Sequence, residues 1–157
     1  MTASRVAEML QTATSLEELV DVIDEIVVDE IGAEEYAIFE VDHGGAHLNL
    51  LGCAGINPEP LREVGWGEGV VGKVAASGRL FIKPDGLHDD CVFSEDSVTA
   101  CIPLKYSGRL TGAVAIFGVS PAKDSFTPSD FVMFDLLSRH AAAALYTAAF
   151  QDYKGVN

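Results

Sequence analysis

Positive charge is scarce in this chain. Its 157 residues hold 24 Asp and Glu against 10 Lys and Arg, a net charge of −14. The imbalance is local. Residues 1–42 carry twelve acids against Arg5 alone, a net of −11, and the remainder sums to −3. A field of that sign repels phosphate backbones, which argues against nucleic acid or an anionic membrane as partner. Most of these acids read as a solvated helix face. Cysteine is sparse as well: Cys53, Cys91 and Cys101 are odd in number and form no CxxC pair. A disulfide framework is therefore not indicated, and a reducing compartment fits better. No apolar run approaches the ~20 residues that span a bilayer. No basic stretch precedes an apolar one near Met1, so no signal peptide is read, and a cytoplasmic location is expected. Internal repeats and low-complexity linkers are also missing.

What is present suits a packed core. Hydrophobic residues make up 48% of the chain, and a domain of this size buries roughly 70% of its unfolded surface. One domain is expected over residues 1–157, with a core at about 14–148. Residues 149–157 would be a helix end or a connector to something downstream, while Met1 suggests a natural start.

The local signals are specific. Ser15 with Glu18 three residues later is a capping box, and Leu19, Val20, Ile23, Ile26, Val27 and Ile31 recur behind it at helical spacing. Gly32 sits where a C-cap belongs, so one long helix is predicted, preceded by a shorter one over 4–12. Residues 36–41 and 47–54 read as a hairpin about Asp42-His-Gly-Gly45. A loop at 57–60, a short helix over 69–77 closed by Gly78, a strand over 79–83 and a polar excursion over 84–96 follow. Residues 98–106 and 111–119 form a second hairpin about Ser107-Gly108. Thr127-Pro128 with Asp130 starts the last helix, whose stripe is Phe131, Phe134, Leu137, Ala141, Ala144, Leu145 and Ala148. With hairpins dominating, the class is α+β on a mostly antiparallel sheet.

The order of these pieces resembles the GAF domain family, over roughly residues 14–148. Gly67-Glu-Gly-Val-Val-Gly72 followed by Ala75-Ala-Ser-Gly78 is similar to the family's central helix, and Pro84-Asp85 closes the next strand as the family does. Cys101-Ile-Pro103-Leu with Arg109-Leu-Thr-Gly112-Ala-Val-Ala resembles its last hairpin, and Phe126-Thr-Pro-Ser-Asp130 the entry to its final helix. The resemblance implies a central antiparallel sheet of five to six strands. The N- and C-terminal helices would cover one face. On the other, the short helix and a lid loop over 84–96 would form a small-molecule pocket. Candidate ligand-facing residues are Trp66, Val71, His88, Asp90, Cys91, Phe93, Ser97 and Cys101. Trp66 would either stack on a ligand or plug the sheet edge.

The resemblance implies a regulatory module without catalysis, of the kind found in bacterial signalling, and a homodimer through the terminal helices. Leu137, Ala141, Ala144, Leu145 and Ala148 are the interface candidates. From Ala142 onward that helix is expected to project past the sheet. A downstream signalling domain or protein would receive the output. No metal is expected, and no motif identifies a cofactor or names the ligand.

Enzymatic and chromophore-binding branches of the family carry motifs of their own. Free methionine sulfoxide reductases place a cysteine in the helix-opening motif, where this chain has Val71; a thiol enzyme using Cys91 is the alternative. A dimerisation module with a vestigial pocket is a third reading. Cyclic-nucleotide binders require an acidic residue where Phe131 stands, and covalent bilin attachment calls for a Cys-His that does not occur. Gly67-x-Gly-x-x-Gly72 matches a dinucleotide fingerprint in spacing only, because no βαβ unit surrounds it. His88-x-x-Cys91 offers two metal ligands where a tetrahedral site needs four. His140 reads as a helix-surface histidine.

Overall fold

The computed structural model describes residues 2–42, 44–84, 87 and 97–155, with side chains through Ala148. Two N-terminal helices, α1 (Ala3–Thr12) and α2 (Leu16–Glu25), lead into a six-stranded sheet. Its strands are β1 (Ala33–Val41), β2 (His47–Ala54), β3 (Glu63–Gly65), β4 (Phe81–Ile82), β5 (Ala100–Tyr106) and β6 (Arg109–Val119). Helix α3 (Gly69–Ser77) lies between β3 and β4, and α4 (Pro128–Leu136) and α5 (Ala142–Gly155) close the chain. The sheet order is β3-β2-β1-β6-β5-β4, and every neighbouring pair is antiparallel. The α+β architecture is therefore the one expected.

The caps are built as their residues dictate. Ser15 accepts the Glu18 N–H, and Thr127 and Asp130 form a reciprocal capping box. Glu18 differs in detail: its carboxylate takes the N–H and hydroxyl of Thr14 rather than closing on Ser15. The first long helix is also not uniform. It widens into a π-helical stretch over Ile26–Ile31 before the left-handed Gly32, and the last helix does the same over Leu137–Ala141. Residues five apart fall on different sides of an α-helix but come close to alignment in an i→i+5 helix. The widened turns thus keep Ile26 with Ile31, and Leu137 with Ala142, on the sheet side, where all four are buried.

Strand alternation sorts the core into two faces. On one, Ile38, Ile102, Leu104, Val114 and Ile116 meet the long helices through Leu10, Ile23, Phe134 and Leu137. On the other, Phe39, Cys101, Ala113, Ala115 and Phe117 meet Val71, Val74 and Ala75 of α3.

Several expectations are corrected. The strand read over 79–83 shrinks to Phe81–Ile82, because the Arg79 N–H turns back to the Ser77 hydroxyl and Leu80 points to solvent. Strand β3 was not expected; three residues carry no readable period. Phe131 leaves the buried stripe and is 43% exposed, its ring edge-on to Phe134. The last helix does not leave the sheet at Ala142, since Ala142 and Leu145 are both buried on it.

Candidate functional site

The face under α3 is built from the β3–α3 turn outward. Gly67 and Gly69 take positive φ values of 82° and 60°, which side chains disfavour. The Glu68 carboxylate accepts the Gly65 N–H, and the Gly67 N–H donates to the Gly72 carbonyl. A Cβ on Gly72 would lie 2.3 Å from the Gly65 carbonyl oxygen. The close seating of α3 on this turn therefore requires hydrogen at that position. The helix stops at Gly78, left-handed at φ 68°, whose N–H returns to the Val74 carbonyl. These glycines serve geometry, as read. The dinucleotide fingerprint is a coincidence of spacing, because β3 is an antiparallel edge strand and α3 leads to a strand antiparallel to its neighbour.

Two of the expected ligand-facing residues come together here. Val71 and Cys101 share one apolar cluster with Phe39, Ala113, Ala115 and Phe117, and neither has exposed surface. Burial pushes the Cys101 thiol up to about 12, so at neutral pH it is a protonated, poorly nucleophilic group. Cys53 is a free, half-buried thiol against the same cluster. Ser97 is half-buried just ahead of β5, next to the buried Val98, and the Thr99 hydroxyl that follows donates to the Ile116 carbonyl. Trp66 lies apart, 37% exposed at the end of edge strand β3. His88, Asp90, Cys91 and Phe93 lie outside the described residues, as does most of the expected lid. Among the described residues no three His, Cys, Asp or Glu side chains are grouped to hold a metal ion. Nor is any described helix long and apolar enough to cross a membrane.

A GAF domain model matches residues 13–145 of this sequence. The chain belongs to the GAF domain family. No curated protein sequence matches it significantly, but solved GAF structures do. The GAF domain from an Acinetobacter phosphoenolpyruvate-protein phosphotransferase is similar with a TM-score of 0.74 at 17% identity, over 96% of this chain and 94% of that one. The corresponding domain from Coxiella burnetii gives 0.73 at 17%, again over 96% and 94%. A free methionine-R-sulfoxide reductase from Neisseria meningitidis, solved with its substrate, gives 0.62 at 18%, over 96% and 89%. Identities this low show a shared fold alone.

Residues that sequence reading did not single out complete the GAF face. Phe39, Ala113, Ala115 and Phe117 follow from strand alternation once the register is known. Lys105 was missed altogether; its Nζ donates to the Gly78 carbonyl at the end of α3. On the helix side, three of the expected interface residues are consumed by the domain's own core: Leu137 and Ala141 have no exposed surface and Leu145 only 2%. Ala144 and Ala148 keep part of theirs. With Gln11, Thr14, His140 and Thr147 they line a groove of about 390 Å³, across which Gln11 Nε2 meets His140 Nδ1 at 3.1 Å.

Proposed function

We propose that this GAF domain is a non-catalytic regulatory module that binds a small molecule on its α3 face and reports occupancy through its terminal helices. Val71 and Cys101 support the non-catalytic part of the reading, and the Cys91 alternative is left to the substitution below. Where a thiol enzyme needs an accessible, ionisable sulfur near the helix-opening motif, this chain has the buried Val71 beside a thiol held protonated by burial. Solved relatives include GAF domains of phosphotransferases and part of a methyl-accepting chemotaxis protein, which favours a regulatory role.

For binding to act as a signal, the ligand must prefer one of two states. Reversing a 1:99 population requires about 5.5 kcal/mol of differential affinity. The output is a change in homodimer packing through the exposed parts of α1 and α5. Ala144 and Ala148 are small enough for a second helix to approach closely, whereas Leu137, Ala141 and Leu145 support them from within.

Denaturing mass spectrometry and an absorption spectrum of freshly purified protein test the ligand, with a co-purified small molecule expected. Turnover of free methionine sulfoxide with dithiothreitol, abolished by Cys91→Ser, would overturn the reading in favour of the thiol enzyme. A dimer that persists with no ligand by either measurement would favour the dimerisation module with a vestigial pocket. Sedimentation equilibrium tests the dimer: a monomer at high concentration sinks that part, and Ala148→Arg is expected to shift a dimer toward monomer.

A further inference from the structure

The end of β5 touches both layers of the domain at once. Successive strand residues point to opposite faces, so the neighbours Lys105 and Tyr106 reach opposite sides of the sheet. Lys105 donates through Nζ to the Gly78 carbonyl, 3.3 Å away, at the C-terminal stop of α3. Tyr106 stacks on Tyr146 of α5, with ring centroids 4.9 Å apart and planes at 29°. Both tyrosines stay about 40% exposed, so the pair is not core filler.

The partner strand is built for the same connection. The register slips between Leu104 and Lys105, leaving Thr111 opposite no residue of β5. This bulge turns the Thr111 hydroxyl toward α5, where it donates to the Ala142 carbonyl at 3.0 Å. That carbonyl follows the π-helical turn, where the regular ladder is interrupted. Next to it, a Cβ on Gly112 would meet Leu145 Cδ1 at 2.8 Å and the Phe39 carbonyl at 2.3 Å. Both residues of the tight turn, Ser107 and Gly108, have positive φ (51° and 79°), which makes the hairpin tip one stiff unit.

From these contacts we propose that the β5–β6 hairpin is the coupling element between α3 and α5. It is held to the end of α3 by Lys105 and to the start of α5 by Tyr106 and Thr111. A displacement of the α3 C-terminus moves the hairpin tip, and the tip carries the Tyr106 ring against Tyr146. The inference deepens the regulatory reading above by assigning its internal linkage. It concerns the ligand-free chain, so it can fail or stand independently of whether a ligand is found.

Amide hydrogen exchange on the 157-residue chain tests it with two variants at exposed positions. Tyr146→Ala is expected to accelerate exchange of the Gly78 and Lys105 amides roughly two- to tenfold, the range of a lost aromatic pair. By reciprocity, Lys105→Met should accelerate exchange in the first turns of α5 while leaving α1 and α2 unchanged. Effects confined to the element that carries each substitution would overturn the proposal. So would equal acceleration across all elements, which reports lower global stability rather than a linkage.

Discussion

Cys101 shows how one position sets chemical character. The strand pattern places it on the inner face, and burial there raises its thiol from 9.0 to about 12. The sign of the pH effect follows. Between those values the unfolded chain releases a proton that the folded chain keeps, so stability is full below about pH 9 and falls as pH rises toward 12. Urea unfolding from pH 8 to 11 should show the decline, and Cys101→Ala should remove the part that begins near pH 9. Tyr36 contributes in the same direction at higher pH, because burial and the Asp24 carboxylate, 2.7 Å from its hydroxyl, both oppose ionisation. Lys123 and Asp130 are a second case. Their charged atoms meet at 2.6 Å with Asp130 almost wholly buried. Lys123→Met is expected to cost about 2–3 kcal/mol, less than for a fully buried pair because Lys123 keeps some solvent contact. Chemical denaturation measures it.

Elements were legible where their determinants are local. Thr127, Pro128 and Asp130 announce α4 because a cap needs only four consecutive residues. Gly32 and Gly78 announce helix stops for the same reason. Elements that depend on a distant partner were misread: β3 exists because β2 offers it an edge, and 79–80 are excluded from β4 by a local turn that no period reveals. The glycines of the β3–α3 turn separate the two kinds of constraint. Gly67→Ala meets only the cost of a positive φ, about 1 kcal/mol, since nothing lies within 4 Å of the added Cβ. Gly72→Ala drives a Cβ into backbone and is expected to cost more, about 2–3 kcal/mol. Equal losses in urea titrations of the two variants would contradict this account.

For the whole molecule, charge is the dominant long-range term. Twelve acids and one arginine in residues 1–42 put a net of −11 on the N-terminal part of the fold. Self-repulsion of that size opposes compaction and is screened over about 8 Å at physiological ionic strength. The thermal midpoint is therefore expected to rise between low salt and 0.15 M NaCl. A flat or falling midpoint would mean that local ion pairs outweigh the net field.

The order of residues along the chain was enough for the GAF fold, the caps, the helix stops and the apolar stripes of the helices that precede Gly32 and follow Thr127. Each of these depends on short-range backbone geometry and on the fixed periods of strand and helix. Assembly decided the rest. It moved Leu137, Ala141 and Leu145 into the core, left Phe131 outside it, and set Lys105 and Tyr106 against opposite layers. Those outcomes depend on which surfaces meet across the sheet, and a surface is used up only when its partner arrives.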